Sequence, residues 1–506
     1  MMANIVQLFL NCTEKYPDQV AIVYRDASVT YQDLRRDVEQ TASYFQSKGI
    51  KPGDRVLVFV PMSIDLYRTV LALFYIGATA VFLDEWVSKK RMELCCSIAD
   101  CSAFVGVFKA RVFAYFSKGL RKIPIRLGTG MGNGVADAPV IFNPNPDQAA
   151  LITFTTGSTG TPKAAKRTHK FLGLQFNALL SEIDPKPEDI DMCVLPIVLF
   201  CNLGAGSTSV IADFQASKPD RLNPERVYNQ IVSHGVTRIT ASPFFVKKLS
   251  EFISNTNKPT PVLEKIFTGG APVFPREAEI YERAFPNTHV KVVYGSTEAE
   301  PISSINVKQL ICEGAEQSVS GLNVGKVYSG SSVKIVGITD EVISCTSDKE
   351  LSKLERPLGS IGEIIVAGEH VLKEYYNNPE ALKRNKIFVG DEVWHRTGDA
   401  GYIDDGLLFL TGRCNRMIKD GNEYIGPFLY ENLFLSVEGV VIGTVLMVND
   451  KITAVVESGG AADQSYIRDH IINLDGRIEE LNFISKIPRD PRHNSKIDYE
   501  KLIELL

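Results

Sequence analysis

Short apolar, β-branched runs alternate with helix-length segments over the first two hundred residues. "RVLVFV" (Arg55 to Val60) and "ATAVFL" (Ala78 to Leu83) have the run length of buried strands, and Tyr31 to Gly49 reads as a helix. This order predicts strands joined by crossover helices, an α/β sheet. A chain of 506 residues exceeds what one core supports, so at least two domains are expected. A second α/β stretch runs from "TRITAS" through "KIFTGGAPV" to "VKVVYGSTEAEP". Between about Val324 and Leu410 short strands dominate ("SVKIVG", "GEIIVAG", "LLFLTG"), which predicts a smaller β-rich unit. After Gly412 come two strand-like runs, "VVIGTVLMV" and "ITAVVE", and a helix near Gln464 to Asn473. The fold class read from this order is α/β: a large N-terminal domain, residues 1–412, of two α/β subdomains plus the β-rich unit. A small α+β C-terminal lid, residues 413–506, follows it.

The stretch "ITFTTGSTGTPKAAKRTH" (Ile152 to His169) lies between the strand-like "AALITF" and a helical pattern resuming near Phe171. An ordinary nucleotide loop has glycine before its lysine and a metal-binding hydroxyl after it; here Pro162 and Ala164 hold those places. Proline has no N–H and alanine no metal ligand, so a P-loop phosphotransferase is disfavoured. Phosphate binding is not. Thr155, Thr156, Ser158, Thr159 and Thr161 accompany Gly157 and Gly160 in the sequence, so hydroxyls and unobstructed N–H groups can face one anion, with Lys163 at the end.

Composition narrows the partners. The net charge of −5 and pI near 5.9 offer no electrostatic reason for nucleic acid or an anionic membrane as partner. The nine cysteines form no C-x-x-C pair, which points to a reducing, cytoplasmic compartment; "CCSIADC" (Cys95, Cys96, Cys101) has no histidine near it in sequence and reads as buried positions rather than a metal site. "MMANIVQLFLNC" has neither a basic start nor a small-residue cleavage site, so no secretory signal is expected. The apolar run Thr69 to Leu83 is too short to span a bilayer and contains Gly77; it reads as a buried helix and then a strand, with no integral membrane segment.

Three further stretches carry chemistry. "TGGAPV" (Thr268 to Val273) puts two glycines after a strand, leaving backbone for a flat ring to lie against. "YGSTEAEP" (Tyr294 to Pro301) places an aromatic face, a hydroxyl and a carboxylate within five residues, and "HRTGDAGYIDDGLLFLTGRCNRMIKDG" sets Asp399 and Arg413 on either side of a hairpin-like segment. Together and in this order, the four stretches resemble the adenylate-forming superfamily of acyl-CoA synthetases, peptide synthetase adenylation domains and luciferases, over essentially the whole chain. The resemblance implies that Thr155, Thr156, Gly157, Ser158, Thr159, Gly160 and Lys163 hold the β- and γ-phosphates of ATP. It further implies that Gly269, Gly270, Ala271, Pro272 and Tyr294, with Gly295 beside it, enclose adenine. Thr297 is expected at the α-phosphate, Glu298 on magnesium, and Asp399 on the ribose hydroxyls with Arg413 nearby. In "IPRDPRHNSKIDYEKL", Lys496 stands where the family keeps its adenylation lysine, and Asn415 stands at the residue about which the C-terminal domain rotates, where aspartate or lysine is usual. Lys496, Thr297 and Glu298 are the catalytic expectations. The substrate implied is a small-molecule carboxylic acid, a fatty or β-hydroxy fatty acid.

The acceptor of the acyl group is left open between CoA and the acid's own hydroxyl. Gly421 is followed by Asn422, where the family commonly has a second glycine lining the thiol tunnel, and Cys201 in "LPIVLFCNLGAG" replaces a usual histidine or aromatic. "PRDPRHNSKIDYEKL", "FCNLGAGSTSVIADF" and "VWHRTGDAGYI" resemble the olefin-pathway β-lactone synthetases and neighbouring fatty-acid ligases. The alternative is a nucleotide-binding regulatory protein of the same fold that has lost turnover; its signature, loss of Lys496, Glu298 or Asp399, is not present.

Overall fold

The structure is a computed structural model that describes residues 4–83, 89–131, 139–155, 162–214, 218–256, 258–316, 321–421, 423–460, 462–490 and 495–506. Among these, a six-stranded sheet runs Ile125–Leu127, Ala103–Gly106, Arg55–Phe59, Thr79–Phe82, Ala149–Thr155 and Lys163–Thr168. Its pairs are parallel except the last, where Ala149–Thr155 turns back onto Lys163–Thr168. Parallel strands are covered on both faces, and Val56, Leu57, Ala80, Val81, Phe104 and Ile152 are all fully buried. The apolar run at Thr69 resolves as the helix Ile64–Tyr75, buried throughout from Leu66, and the strand Thr79–Phe82.

A second sheet has 14 strands among the described residues. Val20–Tyr24, Thr208–Ile211, Ile190–Cys193, Arg238–Ala241, Lys265–Gly269 and His289–Ser296 form its parallel part. At His289–Ser296 the sense changes: this strand pairs antiparallel with Ala299–Asn306, and the strands from Leu322 to Arg413 continue the antiparallel path. The β-rich unit is therefore hydrogen-bonded onto the second α/β stretch. Alternation along a strand shows which faces are apolar but not which strand lies beside it.

A short segment ties the two sheets together. Val371 forms a bridge with Ala299 of the larger sheet, and four residues later Tyr375 bridges Ala165 of the smaller one. The Leu372 N–H donates to the Glu298 carbonyl at 2.7 Å and the Tyr376 N–H to the Ala164 carbonyl at 2.8 Å. In consequence the ends of Ala149–Thr155, Lys265–Gly269 and His289–Ser296 open toward a common seam, the place where α/β sheets bind ligands.

The C-terminal part has its own three-stranded sheet, Val440–Val448, Lys451–Ser458 and Glu480–Ile484, with the helix Gln464–Leu474. Its core gathers Tyr430, Phe434, Val445, Ala454, Ile467 and Ile471. The helix Pro427–Phe434 serves both sides: Tyr430 and Phe434 enter this core, while Phe428 packs edge-on against Phe274 of the preceding body, centroids 5.9 Å apart. None of the nine cysteines forms a disulfide. Burial pushes the thiol of Cys96 up to about 11 and that of Cys101 to about 12, so both behave as small apolar side chains. Among the described residues no helix is long and apolar enough to cross a membrane.

Candidate active site

The glycines of "TGGAPV" have a steric reason. A Cβ on Gly269 would stand 2.4 Å from the Val293 carbonyl oxygen of the neighbouring strand, and Gly270 has φ +86°. The chain can leave the strand Lys265–Gly269 close against its neighbour only because both lack side chains. Ala271 and Pro272 follow, half-buried, and Val273 turns into the core. On the adjacent strand Tyr294 is half-buried, with Gly295 at the register shift beside it.

Tyr294 reaches across to the antiparallel hairpin of Glu392–Asp404 and Leu407–Arg413, in which Asp399 lies opposite Arg413. Its hydroxyl donates to Asp399 Oδ2 at 2.7 Å, and Arg413 Nη1 pairs with Asp399 Oδ1 at 3.0 Å. Arg413 Nη1 also donates to the Thr397 carbonyl at 3.2 Å, and the Asp399 N–H donates to Thr397 Oγ1 at 3.0 Å. Each carboxylate oxygen keeps a further lone pair, so the aspartate is oriented without being saturated.

The seam itself is a buried charge cluster. Glu298 is 7% exposed, and Tyr375 Oη donates to its Oε1 at 3.2 Å. Two ammonium groups stand over the Tyr375 ring: Lys163 at 6.0 Å and Lys386 at 5.7 Å from its centroid. Lys163 Nζ donates to Asn385 Oδ1 at 2.6 Å, and Lys386 Nζ to the Leu372 carbonyl. Burial draws the pKa of Lys386 down to about 7, with Glu298 opposing the shift and Lys163 adding to it. Lys163 is lowered by burial too, again against the pull of Glu298. His395 is held neutral by burial first and Lys386 second, its Nδ1 3.2 Å from the Asn385 carbonyl. Thr297, half-buried, is positioned by its carbonyl, which accepts from Arg167 Nη2 at 3.1 Å. Two cations against one carboxylate make this a site suited to a polyanion.

The structure thus brings together Lys163, Thr297 and Glu298 at the seam, and Tyr294, Asp399 and Arg413 at the adjoining hairpin. The Thr155 side chain and Thr156, Gly157, Ser158, Thr159 and Gly160 lie outside the described residues, as does Asn422. Asn415 is exposed, in the short turn Cys414–Arg416. Lys496 is carried by the C-terminal part, where its carbonyl accepts from the Asp490 N–H at 2.8 Å beside the Arg489–Ile497 bridge.

Residues 9–376 match the family model described as AMP-binding enzyme. The chain belongs to the AMP-binding enzyme family. An olefin beta-lactone synthetase of Stenotrophomonas maltophilia is 27% identical to this AMP-binding enzyme, covering 99% of it and 97% of the relative. A 2-succinylbenzoate–CoA ligase of Oceanobacillus iheyensis is 26% identical, covering 84% and 82%. Among solved structures, the amide bond synthetase McbA of Marinactinospora thermotolerans superposes with a TM-score of 0.82 at 21% identity, covering 99% of this chain and 100% of that one. ATP-bound MatB of Rhodopseudomonas palustris gives 0.83 at 21%, covering 100% and 99%. The relatives are synthetases and ligases, and the chain is an enzyme of that kind.

The motifs assign no role to Arg167, Tyr375, Asn385 or Lys386. Arg167 sits inside Ile152 to His169 but past the hydroxyl-rich run, in the strand Lys163–Thr168, and Lys386 follows the polar helix Pro379–Asn385, where lysines are usually solvated. Nothing local distinguishes it; its burial arises from packing against Leu372 and Tyr375.

Lys386 yields a pH prediction for the ligand-free enzyme. Below about pH 7 the ammonium is charged in folded and unfolded chain alike, so the cost of burying it is fully present. Between about 7 and the ordinary value of 10.5 the unfolded chain holds a proton that the folded chain has released, and this contribution to stability rises with pH. Lys386→Met is expected to raise the melting temperature most at about pH 6 to 7, with the gain shrinking toward about pH 10. Thermal denaturation across that range checks it; a gain independent of pH contradicts it.

Proposed function

We propose that this enzyme uses ATP and magnesium to convert a carboxylic acid into an acyl-adenylate, releasing pyrophosphate, and then lets a hydroxyl of the acid displace AMP. The observation that carries the first step is the junction of two sites: the oriented Asp399 carboxylate between Tyr294 and Arg413, next to the seam of Lys163, Lys386 and Glu298. One suits a ribose diol beside a stacked base, the other a polyphosphate. The ATP-bound structure of MatB, and that of the O-succinylbenzoate CoA synthetase of Bacillus subtilis in complex with ATP and magnesium, agree with this ligand.

In the reaction a carboxylate oxygen of the acid attacks the α-phosphorus, a new P–O bond forms, and the α–β bridging bond breaks with its electron pair leaving on pyrophosphate. Two anions must approach, so the work of this chain is electrostatic. Tyr294, Asp399 and Arg413 fix the nucleoside, with adenine against the glycine backbone at 269–270. Lys163 and Lys386 offset phosphate charge, and Arg167 keeps Thr297 at the α-phosphate. Glu298 is a buried hard oxygen donor facing those ammonium groups, which fits a magnesium ion whose other ligands are phosphate oxygens and water. Bound there, the ion would neutralise phosphate charge. Lys496 supplies the last cation: residues 413–506 act as a lid that turns about Asn415 and delivers it. The compartment implied is the cytoplasm, where ATP is at hand.

Because Lys496 acts on charge that develops in the transition state while the N-terminal body holds the nucleotide, Lys496→Ala is expected to reduce acid-dependent pyrophosphate exchange about 100-fold or more. ATP affinity by calorimetry stays within about threefold. A parallel loss of affinity contradicts this division of labour.

For the second step, the similarity to olefin beta-lactone synthetases at 27% and 26% identity over 99% of this chain favours intramolecular displacement over CoA. A hydroxyl tethered three atoms from the activated carbonyl has a high effective concentration. Its oxygen bonds to the acyl carbon, the carbon–oxygen bond to AMP breaks, and the hydroxyl proton passes to solvent. With ATP and magnesium but no CoA, a 3-hydroxy fatty acid should yield a neutral product lacking one water by mass spectrometry, whereas an unsubstituted acid stops at the adenylate. Product that forms only with CoA and carries its mass makes the chain an acyl-CoA ligase instead.

A further inference from the structure

Four helices, Val6–Lys15, Ile64–Tyr75, His169–Ile183 and Pro196–Ala205, wall a cavity of about 60 Å³. Its lining is apolar, Phe9, Leu71, Phe74, Leu172 and Phe200 among it, with one exception. Gln175 lines the cavity at 2% exposure, and neither its amide oxygen nor its amide nitrogen has a hydrogen-bond partner. A buried polar group left unpaired costs about 1–3 kcal/mol, and a leucine or methionine on this helix face would avoid it. A molecule from outside the chain that pairs with the amide removes that cost.

A second unpaired group stands at the start of the same helix. His169 Nδ1 accepts the Ile5 N–H at 3.2 Å, which leaves the proton on Nε2, and Nε2 has no partner. Burial draws the ring's pKa down to about 4, so it is a neutral donor near pH 7. The ring packs edge-on against Phe74, a wall of the cavity, with centroids 6.2 Å apart.

We propose that this cavity seats part of the acyl chain of the acid and that Gln175 pairs with a hydroxyl or oxo oxygen part-way along it. The proposal rests on the acid-activating reading above and names its substrate class: an acid oxygenated within the chain. The position follows from the helix. Arg167, whose guanidinium holds the Thr297 carbonyl, lies two residues before His169, and Gln175 lies six residues beyond His169, about 9 Å of helical rise. The paired oxygen is therefore several carbons from the carboxylate, not at the 3-position. The amide offers both donor and acceptor, so either oxygen class is read, and an unsubstituted chain leaves it unpaired, which is the basis of rejection.

Gln175 acts as a specificity residue, and its test is a ranking of substrates. Three acids of equal length, unsubstituted, 3-hydroxy and mid-chain hydroxy, are given to the wild-type chain and to Gln175→Met in acid-dependent pyrophosphate exchange; Gln175→Leu replaces the Met variant should that one not fold. The wild type is expected to favour the mid-chain hydroxy acid over the unsubstituted one by about tenfold or more in kcat/KM. The variant should erase that preference, partly by turning over the unsubstituted acid faster. Equal ranking in both proteins overturns the proposal, as does a variant that merely melts at higher temperature with its ranking unaltered, which would mean that Gln175 pairs only with water. If no acid supports exchange by the wild type, the adenylation reading fails by itself, and calorimetric binding of the same acids decides the cavity. Weaker binding of the mid-chain hydroxy acid to Gln175→Met, by about tenfold, then upholds the pairing, and equal or absent binding refutes it.

Discussion

The segment from Val371 to Tyr376 is the constraint on which the site depends. It pairs with Ala299 on one side and with Ala165 on the other, so two sheets that share no strand are held at a fixed distance by a few backbone hydrogen bonds. The same segment also supplies groups to the seam. Tyr375 supplies the hydroxyl that orients Glu298 and the ring over which two lysines lie, while the Leu372 carbonyl receives the Lys386 ammonium. Sheet edges that would otherwise be separate surfaces become the two walls of one cleft.

This arrangement stores an imbalance. Taking charge out of water is costly, and here two ammonium groups accompany one buried carboxylate, with His395 kept neutral beside them. The depressed pKa of Lys386 is the visible trace of that cost. In the proposed reaction a polyanion in the seam would relieve it, so the groups that carry this cost would be the ones that hold the ligand, already oriented for it. Asp399 follows the same logic on a smaller scale: Tyr294 and Arg413 hold it in place, and the hairpin register sets it opposite Arg413.

Much of this could be read along the chain, and what could not has a consistent physical cause. The runs at Arg55 and Thr79 announced strands, and the pair Gly269–Gly270 announced a close backbone approach, because run length and missing side chains are local properties. Asp399 and Arg413 were legible as partners because a tight hairpin makes them near neighbours. Lys386 and Tyr375 were not, since "KEYYNNPE" and "KRNKIF" look like solvated loop and helix end until tertiary packing buries them. The joining of the β-rich segment to the long sheet was likewise invisible, because strand order is set by contacts between distant residues. Gln175 shows the limit most plainly. On a helix with Leu172 and Leu179 it resembles an ordinary polar interruption, and only the cavity around it shows that its amide faces no partner.

We propose that the N-terminal body binds the nucleotide through an aspartate already oriented for the ribose. Calorimetric titration of ATP with magnesium into the wild type and into Asp399→Asn tests it most directly, since the substitution keeps the shape while removing the charge and half of the acceptor capacity. A loss of affinity of about tenfold or more, roughly 1.4 kcal/mol, is expected, with the fold intact by circular dichroism. Unchanged affinity in a folded variant would contradict it, and would place the nucleotide elsewhere in the molecule.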